Sequence, residues 1–197
     1  GGFGLTARLM DIYSGMGEMV VGMSDGGIPE AFYKMAESVS GEKFCVVAII
    51  VSDESNDYWG EMSSLAHQLN DKGFPVFALR PQEVIFREEG LFFKKDSDEV
   101  KIDVLYRFFE LFDLKNIPKA ELIMYSYKKG IVKITPPFKP YLEEKLAFSL
   151  FKHPALTSLW KKELGSETFA ILSHLIPDTW ILDSREVPEY AVIAGLD

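Results

Sequence analysis

Cysteine is almost missing from these 197 residues; there is one, Cys45, inside FCVVAIIV. A single thiol excludes an intramolecular disulfide, which suits a reducing compartment, and a cytoplasmic location is the expectation. A thiol in the middle of an apolar strand is packing rather than a nucleophile. Long apolar runs are missing too. None approaches the roughly 20 residues that cross a bilayer, and no leader pattern is visible, so no membrane partner is expected. Basic residues are in deficit, with 21 Lys plus Arg against 30 Asp plus Glu and a net charge of −9. That balance argues against the broad cationic surface that duplex nucleic acid requires.

Local catalytic signatures are absent as well. The chain has no G-x-x-x-x-G-K-[ST] loop, no H-E-x-x-H, no G-x-S-x-G and no G-x-G-x-x-G at a strand-to-helix turn. The opening GGFG has no strand before it and is discounted. His67, His153 and His174 lie in or at the ends of expected helices, without metal-ligand spacing. They read as surface or packing residues.

What is present is an ordinary globular composition, 47% apolar and 26% charged, with 15 phenylalanines for an aromatic core. Phe44–Val51 is a short apolar run rich in β-branched residues, as expected for a strand buried on both faces. After the turn SDESND, Trp59, Met62, Leu65, Ala66 and Leu69 recur at helical spacing, and Gly73 stops the helix. PVFALR supplies a second strand, and the three segments make a βαβ unit with a parallel sheet.

EVIFREEGLFFKK then predicts a β-hairpin, KKDSDE a solvated loop, and VKIDVLYRFF one continuous strand. KAELIMYSYKKG predicts a helix with lysines in its last turn, and IVKIT a strand stopped by Pro136 and Pro137. The last third reads as helical. Leu142, Leu146 and Leu150 form a stripe, HPALTSLWKKELG continues to Gly165, and Ser166 is placed to cap a third helix. TWILD is read as a final strand. The expected fold class is α/β: a mainly parallel, Rossmann-like sheet flanked by helices, with a hairpin and a helical C-terminal third. The chain is read as one domain with an entry segment 1–40, a βαβ core 41–138 and a helical segment 139–197.

Candidate site residues follow from the rule that parallel sheets bind ligands beyond the carboxyl ends of their strands. Asp53 lies there, in SDES, where helix capping is the competing use. Asp103 and Arg107 share one face of their strand at period two. A strand-end arginine can grip a carboxylate or phosphate through two bonds, or it can serve a structural ion pair. In GMSDGGIP, residues Ser24, Asp25 and Gly26 form either a substrate-facing loop or a turn in which Gly26 and Gly27 supply positive φ, with Pro29 opening the next helix. Lys145 in YLEEKLAF is an anion-contact candidate or a surface lysine paired with Glu143 or Glu144.

Taken in order, the acidic loop, the βαβ unit, the hairpin, IDVLYRFFELFDL, the strand ending in TPP, the helix YLEEKLAFSLFKHP and IPDTWIL resemble the circularly permuted ATP-grasp enzymes, the glutathionylspermidine synthetase group. The resemblance implies a pre-ATP-grasp fold and part of an ATP-dependent carboxylate–amine ligase. ATP and Mg²⁺ would be its cofactors, and an amine or peptide-like carboxylate its substrate. The family's main ATP lobe follows the matched region, so the segment is expected to belong to a longer chain and to be inactive alone. In that family the loop carries Glu and Asn metal ligands ahead of its Asp. Aligning that Asp with Asp25 puts Val21 and Met23 at those positions, and neither side chain ligates Mg²⁺. The register is shifted, Glu18 substitutes, or the metal site is degenerate with Asp25 as its remainder. The alternative function is a non-catalytic α/β module that binds a small molecule or a partner protein. A free-standing flavodoxin-like enzyme fits less well, because three consecutive C-terminal helices break the alternation.

Overall fold

The computed structural model describes residues 2–180, and the chain divides into two compact units, Gly1–Phe138 and Lys139–Asp197. The fold class is the one expected: α/β, with a parallel sheet flanked by helices, a separate antiparallel sheet and a helical C-terminal part.

In the first unit, the parallel sheet contains β1 (Val47–Val51), β2 (Val76–Leu79), β6 (Val104–Phe108) and β7 (Lys133–Thr135), in the spatial order β2-β1-β6-β7. Every residue of β1 is buried, the burial that a continuous β-branched run predicts for an inner parallel strand. Its alternate side chains feed two cores. Val47, Ile49 and Val51 pack with Phe32, Tyr33, Met62, Leu65 and Leu69, contributed by α2 (Gly27–Ser40) and α3 (Trp59–Asp71). Ala48 and Ile50 pack on the other face, with the antiparallel sheet and α4 (Ala120–Lys128). That second sheet is β3 (Ile85–Arg87), β4 (Gly90–Lys95) and β5 (Asp98–Ile102).

Several boundaries differ from the sequence reading. The first strand starts at Val47, since Phe44 has a φ of 58° that no strand accommodates. VKIDVLYRFF is two strands in two sheets. At the joint, Asp103 accepts a bond from the Val46 amide through Oδ2 at 2.8 Å and donates its own amide to the Val46 carbonyl at 3.0 Å. KKDSDE is no loop: Lys95 pairs with Asp98 across a two-residue turn whose Asp96 has a φ of 55°. The discounted GGFG opens α1 (Phe3–Gly15), a helix that packs on α2 and α3. The Gly2 and Gly4 amides donate to the Glu61 carboxylate at 3.2 and 2.8 Å, so an α3 carboxylate satisfies the free donors of a helix start.

Cys45 is buried, and burial holds its thiol above the ordinary range. The Tyr33 hydroxyl donates to the Cys45 carbonyl at 2.9 Å, and burial raises the phenol's pKa as well. Both side chains stay neutral and act as packing.

The second unit contains α5 (Leu146–Lys152), α6 (Thr157–Leu164) and α7 (Ser166–Leu175). Leu142 lies in a turn before α5 rather than within it. Gly165, at a φ of 77°, both ends α6 and caps α7, so Ser166 is the first helical residue and its side chain makes no cap bond. Thr179 and Trp180 are not strand, and the rest of TWILD lies outside the described residues. Among the described residues no helix is long and apolar enough to cross a membrane.

A Cβ on Gly4 would sit 2.8 Å from the Glu61 carbonyl oxygen, whereas Gly15 has open space around it. Gly4→Ala should therefore cost about 1–3 kcal/mol in urea unfolding as α1 is pushed off α3. Gly15→Ala, at the far end of the same helix, should cost nothing measurable.

Candidate functional site

The carboxyl edge of the parallel sheet, the usual ligand side, is occupied by two arginines that bond backbone carbonyls. Arg107, at the end of β6, is 5% exposed. Its Nε donates to the Pro136 carbonyl at 3.2 Å, Nη1 to the Phe109 carbonyl and Nη2 to the Pro137 carbonyl at 3.5 Å. The rings of Phe109 and Phe138 lie 5.7 and 5.8 Å from the guanidinium. The planar fork thus ties the exit of β6 to the residues after β7.

Arg80, just beyond β2, makes the matching link to β1. Its Nη1 donates to the Ser52 carbonyl at 3.2 Å and the Val51 carbonyl at 3.5 Å, and its Nη2 to Asn56 Oδ1 at 2.5 Å. The guanidinium lies 4.0 Å from the centroid of the Trp59 ring, and the Arg80 amide donates to Glu83 Oε2 at 2.6 Å.

The sequence-predicted residues are spread around this frame. Asp53 joins the Arg80 group, 3.8 Å from Nη1, and accepts from Gln82 Nε2 at 3.3 Å. Asp103 stands at the opposite, amino end of β6, about 13 Å from Arg107 at ~3.3 Å per strand residue, so the two do not converge. Ser24 and Asp25 are exposed in a tight turn over Met23–Asp25. Gly26 and Gly27 there have φ of 86° and 66°. α2 starts at Gly27, two residues ahead of the expected Pro29. Val21 is 91% exposed. Among the described residues no group of three His, Cys, Asp or Glu stands close enough to hold a metal ion. Lys145 is exposed and immediately precedes α5 in the second unit.

A concave site lies elsewhere in the first unit. Beside the free edge of β2 runs a groove of about 560 Å³, within the size range of small-molecule sites. One bank is a single stripe of α3: Trp59, Ser63, His67 and Asn70. The other is β4, through Phe93, Lys94 and Lys95, and the floor is β2 itself. The bond from the Val47 amide to the Pro75 carbonyl sets the parity of β2. Phe77 and Leu79 therefore direct their backbone groups to β1, and Val76 and Ala78 direct theirs outward.

Two of these four outward groups are already bonded. The Val76 amide donates to the Phe74 carbonyl, and the Val76 carbonyl accepts from Asn70 Nδ2. Ala78 is left with its N–H and C=O facing the groove. Ser63 Oγ is also buried there without a hydrogen-bond partner in the protein. The second unit has a smaller depression of about 280 Å³ among Tyr141, Leu142, Leu146, Leu150 and Trp160. Glu144 is its one charged lining residue, so it offers little to orient a ligand.

Sequence reasoning took Trp59 as core, His67 as surface or packing, and passed over Ser63, Asn70 and Arg80. A signal was present: W-x₃-S-x₃-H-x₂-N runs beside the apolar stripe of the same helix. Comparison with known protein families, with curated proteins and with solved structures finds no match to this chain.

Arg107→Ala should lower stability by about 3 kcal/mol, because buried carbonyls lose a charged donor. Arg107→Lys should recover only part, since an ammonium cannot span the fork. A denaturation midpoint near that of the native chain would overturn the clamp role.

Proposed function

We propose that this chain is an α/β binding module that takes a small molecule into the groove along the free edge of β2. One observation carries the reading. A cavity of ligand size has an apolar floor onto which the Ala78 backbone N–H and C=O face, and the wall beside it encloses a Ser63 hydroxyl with no protein partner. Buried polar groups are normally paired, and rotation about the Ser63 Cα–Cβ bond would bring the unpaired hydroxyl from the wall to a ligand in the groove. The carboxyl edge is a weaker site, because its two arginines are already engaged with backbone carbonyls.

The reading ties stability to binding. Ser63→Ala should leave the free protein equally stable or more stable by up to about 1 kcal/mol, while weakening any ligand found. Ser63→Trp should fill the groove and abolish binding without unfolding. A fragment screen by amide NMR gives the direct test. Hits that shift Ala78, Ser63 and the Trp59 indole support the site, and hits confined to other surfaces overturn it.

A second reading comes from the order of segments, which follows the permuted ATP-grasp pattern from acidic loop to βαβ unit to hairpin. In it, this chain is the substrate-side part of a carboxylate–amine ligase whose remaining residues bind ATP and Mg²⁺. Calorimetry of the full-length protein with Mg-ATP tests it: saturable heat supports the ligase, and its absence with every amine and carboxylate pair tried ends that reading.

A further inference from the structure

Charge around the groove is the reverse of charge on the chain. The whole sequence carries nine more acidic than basic residues, yet no Asp or Glu lines the groove, while Lys94 and Lys95 do. By register Glu99 stands opposite Lys94, where Arg87 holds it at 2.6 Å, and Asp98 stands opposite Lys95 without lining the groove. Lys95 Nζ sits 5.0 Å from the centroid of Phe77, at the junction of an aromatic floor and the cationic bank. The wall therefore changes along its width from aromatic, at Trp59, Phe77 and Phe93, to cationic at β4.

Resting on the groove as the site, we propose that its ligand is a compact organic anion with a flat apolar ring. The ring lies on the β2 floor against Trp59 and Phe77. The carboxylate, or another singly charged acid group, meets Lys95, which shares the groove side of β4 with Phe93, with Lys94 adjacent on the strand. A polar substituent of the ring bonds the Ala78 backbone and, once that hydroxyl rotates outward, Ser63 Oγ.

An extended acidic peptide joining β2 as a further strand is disfavoured on the same geometry. The edge is four residues long, Asn70 and the Phe74 carbonyl consume the outward groups of Val76, and Glu83 takes the Arg80 amide. One residue with free backbone groups supports a small ligand, whereas strand addition needs a row of them.

The test compares three probes that share one ring and differ in charge: 1-naphthoate, naphthalene and 1-naphthylmethylammonium. Each is titrated into the native chain at neutral pH and followed by amide and indole NMR. Naphthoate should bind at Ala78, Ser63 and Trp59 about tenfold more tightly than the ammonium, and this preference should shrink in high salt because the lysines are exposed. The paired substitution Lys94→Glu and Lys95→Glu lies on an exposed strand end; once its melting transition matches the native one, it should reverse the order. Equal affinity for all three probes at the groove overturns the anion assignment and leaves the groove as a site. Shifts confined to other surfaces, or no shifts, overturn the groove itself and the assignment with it.

Discussion

The first unit depends on a shortage of donors at one edge of its parallel sheet. Strands that end side by side present carbonyls outward, and a buried carbonyl without a donor is costly. Two arginines supply the donors. Arg80 reaches the last carbonyls of β1 from β2, and Arg107 reaches the carbonyls after β7 from β6. Each guanidinium carries five donors on one plane, so a single side chain can cross a strand boundary that the ladder leaves open. This use of charge explains why the edge where α/β sheets usually hold ligands is closed by the protein's own cations. Arg107 was legible in sequence as a strand-end arginine with two competing uses; its partners are backbone oxygens that no sequence motif records.

The fold was largely legible because its strongest signals are local. The β-branched run of β1, the apolar stripe of α3, Gly73 after it and the Glu-Glu-Gly turn all act within a few residues, and each appears in the structure, the strand shortened to start at Val47. What the sequence did not show has more than one cause. Nothing near GGFG foretells a helix, because α1 is held by Glu61, 57 positions beyond Gly4. Nothing in VKIDVLYRFF marks a break either, because Asp103 turns the chain by bonding Val46. KKDSDE has a loop's composition, and its pairing with β4 overrides it.

The groove was illegible for a related reason. Its banks come from α3 and β4 and its floor from an edge strand, so its existence depends on how far apart three elements sit. The α3 stripe shows what sequence could have offered: polar residues at helical spacing beside an apolar stripe, more than a solvated face requires. Apolar and aromatic residues dominate the floor, while the polar atoms are few and fixed by backbone or by α3. That division is typical of sites that recognise small molecules.

The joint at Asp103 has a mechanical consequence. β5 passes into β6 through this one residue, and its carboxylate and amide are both pinned to Val46, at the entrance to β1. β4, the cationic bank, is registered to β5 over five residue pairs. The bank is therefore coupled rigidly to the centre of the main sheet and cannot swing away as a hinged flap. Entry to the groove falls to side-chain rotation at Trp59 and the two lysines, on the fast timescale of rotamer changes. A guest arriving there meets a cleft already formed, and little ordering of the chain is needed to receive it.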